Sequence, residues 1–596
     1  MNRYQKAAIL ARAAGRLSPR MAIFMARRML RNRAAAGLPR WYRARLAAIE
    51  RRVPEISRPA RVSPGLREIA DFYISEYADQ VETVRAGRMR LFDREVDFGS
   101  PFDIDWKRWA PEEGDHQMWR VKLAHMGFVG PMLALGGPED HAAVAEIIGG
   151  FRARTSVTDP GAFHAYWFPY AVSHRILAVG SGLLLARHGG TLAPAVDQLV
   201  AGFLRENVAF LLDNVEYELL NNHVERNLAA LSLYFSHVDY MPAAVAAMLE
   251  RDIGHLVGKT ILADGTQAER SPMYQGLSVA SLAVMADAGF LSSALRDDLT
   301  VRLQSARRAF AMLCHPDGQV ALFNDSWHQE VPPLSGAAAP DGRSYLGDGG
   351  YARLSRGGDL CLLDAGPLGM AWNPGHGHAD FLSIEITLGG RRLIVDPGTS
   401  RYNTGADRAR ERSAAAHNGP LWIGHEPIEF LGCFKIGRMA EAALISADRL
   451  PALAIGGQFR SGPGVVARAV LHYPVEGFLV ADLWSAPQPG GQVSWLVPGD
   501  WQIVEEGNRY SLEHDGAQAV IEVLSPLEQG SQLAPSHWAH YYGRREAATE
   551  LRLRPRVTAG FRTLLCWIGH REPPAAAVQD GLALADALRA IVAEPG

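Results

Sequence analysis

Close to residue 327 the hydrophobic pattern of this 596-residue chain changes its period, and no other feature limits the fold as strongly. From about residue 66 to 315, apolar residues recur at i, i+3, i+4 and i+7. The stretches "VDQLVAGFLRENVAFLLDNVEYELL", "NHVERNLAALSLYFSHV" and "LSVASLAVMADAGFLS" show this, each bounded by Gly, Pro or Asp. That period puts the apolar side chains on one face of a helix, and several such helices joined by short loops build a layered α-helical domain. The connector "VPPLSGAAAPDGRS" at 331–344 breaks the pattern. Beyond it come short alternating or β-rich runs separated by turns, among them "GYARLSR", "LCLLDAG", "LSIEITLGGRRLIVDPG" and "GFLVADLWSA". The expected architecture is a basic arm over 1–62, a helical domain over 63–335 and an antiparallel β-sandwich over 336–596. A ligand cleft is expected between the last two.

Charge sharpens this division. The net charge is −3, so the molecule as a whole has no polyanion-binding character and no nucleic-acid partner is expected. From Met1 to Val62, however, 16 Lys and Arg face only Glu50 and Glu55. Two readings fit such a segment: an amphipathic helix touching anionic lipid or substrate, or a solvated, poorly ordered arm. The segment lacks the uninterrupted apolar core of a secretion signal, and no stretch of about 18 apolar residues spans a membrane. A cytoplasmic or membrane-peripheral location is expected, with the periplasm as the alternative. The four cysteines, 314, 361, 433 and 566, lie far apart without CxxC spacing, which supports neither a thiolate metal cage nor a disulfide framework.

Polar residues gather in a few places. In "WNPGHGHADFLSIEI", His376 and His378 alternate with Gly375 and Gly377 at the mouth of a strand. With Gly389-Gly390 as a hairpin turn, Ile386 is expected opposite Leu393, Ile384 opposite Val395, and Ser383 opposite Asp396. Two imidazoles and a carboxylate, His378, Asp396 and His417, have the composition of a zinc site. Their origin in separate segments leaves the alternative of unrelated loop hydrogen bonders open. In "ELLNNHVERNLAALS", Asn221, Asn222 and His223 interrupt the apolar period and either cap a helix or project into the cleft. "ADGTQAERSPMYQGLS" places Tyr274 in the first turn of a helix opened by Ser271-Pro272.

Taken together, "NNHVERNLAAL", "DGTQAERSPMY", "HPDGQVALFNDS", "GHGHADFLSIEITLGGRRLIVDPGTSRY" and "RERSAAAHNG" resemble, in order, the heparinase II/III-like family of polysaccharide lyases. The resemblance covers roughly residues 70–430. It implies an incomplete (α/α) toroid followed by a β-sandwich, and cleavage of a uronic-acid-containing, acidic polysaccharide by β-elimination. It also implies that Asn222, assisted by His223, neutralises the uronate carboxylate, and that Tyr274 and His376 handle the protons. His378, Asp396 and His417 match the metal-binding set of some members, which implies a structural Zn2+ and no organic cofactor. We assign Arg408, Arg412, Trp167 and Glu269 to substrate binding, the arginines for their carboxylate-matching forks and Trp167 as a stacking surface. The basic arm is outside the family signature and fits a protein working beside a bacterial surface-polysaccharide pathway. Two rival readings remain: a glycoside hydrolase using Glu225, Glu269 or Asp264, and a polysaccharide-binding or assembly protein without chemistry.

Overall fold

The structure, a computed structural model, describes residues 3–56, 62–334, 339–486, 490–558 and 560–593. The helical period of the sequence becomes a series of helices running from Pro64–Tyr77 to Ser293–Met312. Proline opens several of them, where its missing N–H costs nothing. Ser63 and Ser271 accept the backbone N–H of Leu66 and Tyr274 as caps. The helix Pro169–Gly189 is buried along nearly its whole length and carries Val172, Ile176, Leu177, Val179 and Leu183 into the core of this domain. Asn222–Phe235 packs beside it, Pro272–Ala286 packs in turn against Asn222–Phe235, and their N-termini present the polar residues of the cleft.

From Gly342 onward the chain is built of strands. Gly342–Leu346, Tyr351–Arg356, Asp359–Asp364, Ile384–Leu388 and Arg391–Ile394 form a five-stranded antiparallel meander in sequence order. A larger, nine-stranded sheet follows, centred on Gly464–Tyr473, Gly477–Trp484 and Phe561–Gly569, with a four-stranded sheet beside it in sequence. Leu354, Leu363, Ile384, Ile386, Val470, Val480, Trp495 and Ile568 fill the interior between them. The terminal helix Ala577–Ala593 covers the outer face of the larger sheet with Leu584, Leu588 and Ile591.

Two expectations need correction. The Gly389-Gly390 turn forms, but Ile386 pairs with Ile394 and not with Leu393, because the ladder shifts by one residue after Thr387↔Arg392. An extra residue of this kind is a β-bulge, which bends the strand end. Ser383 Oγ nevertheless remains 3.5 Å from Asp396 Oδ2. The basic segment is also not a disordered arm. Its described part forms the helices Arg3–Gly15, Pro19–Gly37 and Pro39–Glu50. The first lies on the hairpin Ile428–Leu431/Lys435–Met439 of the sandwich, where Arg12 pairs with Glu429 at 2.7 Å and Arg16 donates to the Ile436 carbonyl. The others lie on the helical domain, through Arg28–Glu218 (2.5 Å) and Arg45–Asp213 (2.6 Å).

Candidate active site

The helix Asn222–Phe235 begins where the polypeptide needs a cap, and adjacent asparagines divide the work. Asn221 is the N-cap, accepting from the His223 N–H at 3.1 Å. This frees the Asn222 side chain, whose amide donates to both Glu269 oxygens at 2.9 and 3.0 Å. The buried Asn222 Oδ1 has no hydrogen-bond partner. Glu269 also accepts from the Asn222 backbone N–H and from Gln267 Nε2, both at 2.9 Å. His223 stacks on Tyr170, with ring centres 4.3 Å apart, and its Nδ1 lies 3.2 Å from the buried Glu216.

Facing this helix end is the sandwich loop that carries His376. Its Nδ1 is 2.8 Å from Asp325 Oδ2 and its Nε2 is 3.6 Å from Glu269 Oε2. The Tyr274 ring lies 4.7 Å from the imidazole, and its hydroxyl is 3.1 Å from that of Tyr402. The Tyr274 phenol is held well above the usual tyrosine range, first by burial and then by Tyr170, Asp325 and Glu269 nearby. Asp325 behaves oppositely. Burial would raise it, but the Arg408 guanidinium and the hydrogen bonds of His376 and His378 outweigh that and hold it well below the ordinary carboxylate range. An ionised Asp325 can only accept, so His376 carries its proton on Nδ1 and turns a basic Nε2 toward Glu269 and Asn222. Phe434, 5.5 Å from the His376 ring, and His116, 5.7 Å from Tyr402, close the side of the pocket. Burial pushes His116 down to about 4, which keeps it neutral.

Residues 338–576 match the family model "Heparinase II/III-like, C-terminal". Over those residues the sandwich is similar to the heparinase II/III-like family. No curated protein matches the chain by sequence. Among solved structures, a heparinase III shares 16% identity over 85% of this chain and 85% of its own, with a TM-score of 0.63. A second heparinase III, at 15% identity, covers 94% of this chain and 92% of its own with a TM-score of 0.56. The heparan sulfate lyase HepC from Pedobacter heparinus, at 16% identity, covers 86% and 84% with a TM-score of 0.50. The likeness runs through both halves of the molecule, so the fold is an incomplete (α/α) toroid joined to a β-sandwich.

Within the sandwich a second polar cluster lies beside His376. His417 Nδ1 is 2.8 Å from Asp396 Oδ2, and Asp380, Asp396 and His417 offer ligand atoms all within 4.8 Å of one another. Asp380, two residues beyond His378, is thus a member of this group. His378 is held differently from the other members, because its Nε2 is spent on Asp325 at 2.9 Å. Its ring is still only 5.5 Å from that of His417, and burial drives it down to about 3, which keeps it neutral. Both His378 Nδ1 and His417 Nε2 are buried without a partner. Unsatisfied imidazole nitrogens beside two buried carboxylates have the donor chemistry of a zinc site, so these residues fit such an ion.

The structure does not expose the arginines for substrate. Arg408 is buried in a fork on Asp325, with its Nη2 at 2.8 Å, because an interior carboxylate needs a cation. Arg412 ties the carbonyls of Gly375, Gly377 and Cys433 together and lies 4.2 Å over the Phe430 ring. Both therefore brace the loop that bears His376. Trp167 is half-buried and packs against Phe210 at 5.0 Å and Phe151 at 5.8 Å. Glu269 is 2% exposed and is held by Asn222 and Gln267, so it reaches the cleft only beside His376. Sequence reasoning left Asp325 and Tyr402 without roles, although both lie inside the quoted motifs. The signal was a charged or phenolic residue in a turn, which gains meaning only when two domains close on it.

Proposed function

We propose that the chain is a polysaccharide lyase that breaks a uronic-acid-containing polymer by β-elimination. The observation that carries this reading is the pairing, 4.7 Å apart, of an Asp325-oriented imidazole with a phenol held in its protonated form. His376 Nε2 takes the C5 proton. The electron pair forms the C4–C5 double bond, the C4–O bond breaks, and the Tyr274 hydroxyl protonates the departing oxygen. Charge that builds on the uronate carboxylate meets the His223 ring and the Asn222 amide on one helix end, the amide exchanging its bonds to Glu269 for bonds to the uronate. Carboxylates suited to hydrolysis are placed poorly: Glu225 is buried under Ser278, and Glu269 is saturated by amide donors.

A zinc ion fits Asp380, Asp396 and His417, with His378 turned instead to Asp325, and when bound it would supply positive charge that fixes the loop below His376. The chain's own residues carry every proton in the scheme. Incubation with a panel of uronic-acid polymers, followed by ultraviolet absorbance of the unsaturated uronate, tests the reading. A rising signal that disappears in both Tyr274→Phe and His376→Ala is expected. Products without unsaturation would overturn it.

A further inference from the structure

Helices at a protein surface ordinarily turn their apolar face inward. The helix Pro19–Gly37 does the reverse. Its inner face, toward the toroid, carries Arg28, Arg31 and Asn32 along with Met21, Phe24 and Ala35. Its outer face presents Ile23 (59% exposed), Leu30 (64%), Met29 (47%) and Met25 (37%), with Ala22 and Ala26 between them. At 100° per residue these side chains form one continuous stripe, flanked by Arg20 and Arg27 on one side and interrupted by Arg33.

The feature extends beyond one helix. Among the described residues, Tyr4, Leu10, Leu38 and Trp41 are also large, apolar and exposed, so eight of the molecule's eighteen exposed large hydrophobics fall before residue 42. The only acidic groups of the segment, Glu50 and Glu55, both pair with Arg205 and leave the arginines of the stripe uncompensated by the segment itself. Salt bridges at both ends fix the segment to toroid and sandwich, so the stripe is held rigidly on the outside of the body.

We infer that this outward stripe is a docking surface for an anionic lipid bilayer, lying in the interface with Ile23, Leu30, Met25 and Met29 inserted and Arg20, Arg27 and Arg33 at headgroup level. Charge complementarity selects the occupant. Exposed aliphatic side chains offer nothing to a hydrated polysaccharide, whereas arginines bordering an apolar stripe match acidic headgroups over acyl chains. A tryptophan at the edge, Trp41, suits the same boundary. Among the described residues no helix is long and apolar enough to cross a membrane, so the contact is peripheral.

The test is co-sedimentation of the full chain with phosphatidylcholine vesicles, with and without phosphatidylglycerol, at low and high salt. The variants are Ile23→Asp/Leu30→Asp and Arg27→Glu/Arg33→Glu. All four positions are exposed, and a thermal unfolding curve checks that each variant keeps its fold. Pelleting is expected with the anionic vesicles, falling at least about tenfold in either variant and weakening with salt. Failure to pellet at low salt would overturn the inference. So would binding that survives Ile23→Asp/Leu30→Asp, which would mean a purely ionic contact. A dimer in sedimentation velocity, dissociated by that variant while vesicles bind nothing, would assign the stripe to a second copy and equally overturn it. None of these readouts depends on the lyase reading.

Discussion

Asp325 decides what His376 can do, since an ionised acceptor on Nδ1 fixes the tautomer that leaves Nε2 basic. Asp325→Asn reverses that preference, and we expect kcat to fall by about three orders of magnitude, as for other oriented imidazoles. KM should change little, and a steady-state rate series with polymer concentration checks both. Glu225 permits a cleaner experiment on stability. Burial pushes its carboxyl up to about 7 in the folded chain, with Ser278 opposing, while in the unfolded chain it titrates near the ordinary glutamate value. The folded state therefore binds the proton more tightly. The stability that the protonated form contributes is complete below the unfolded value and is lost as pH rises through about 7. Relative to Glu225→Gln, the wild-type chain should lose of order 3 kcal/mol between about pH 5 and about pH 8, measured by denaturant titration. The family resemblance pointed to His376, Tyr274 and Asn222, which residue types alone leave open between cap, packing and cleft roles. The roles of Arg408 and Arg412 were not legible, because an arginine suited to a substrate carboxylate is equally suited to an interior one.

The elements that place these side chains are a helix start, a strand mouth and the loop between two histidines. Gly377 separates His376 from His378 and packs so closely that a Cβ there runs into the Leu368 carbonyl oxygen. Gly377→Ala must therefore move the loop, and we expect at least a hundredfold loss of activity together with weaker metal retention, read by rate assay and metal analysis. The switch from period 3.6 to period 2 made the helical and β halves legible. The bulge in the hairpin was not, because it depends on how Arg391–Ile394 meets its neighbouring sheet and not on its own pattern. The first helices were mistaken for a candidate disordered arm for a related reason. Their inner faces are polar and arginine-rich, and only the acids Asp213, Glu218 and Glu429, distant in sequence, make those faces buriable.

Across the whole molecule, toroid and sandwich share one site, with Asn222, Glu269, Tyr274 and Asp325 before the strands begin and His376 and Tyr402 bringing the sandwich against them. A metal held by Asp380, Asp396 and His417 would couple the fold of the sandwich loop to that alignment. Dialysis against a strong chelator should lower both the melting temperature and the activity, and added zinc should restore both; His417→Ala should respond to neither. The cleft's existence could be anticipated from two unlike domains in one chain, but its lining required the closure that brings Asp325 to His376. The account rests most on the bond-breaking step being elimination. Digestion of a responsive polymer in heavy-oxygen water, with mass spectrometry of the fragments, tests this directly. Non-reducing ends one water lighter than a hydrolysis product, and no heavy oxygen at the cleaved bond, are expected. Heavy oxygen incorporated there in wild-type digests would contradict it.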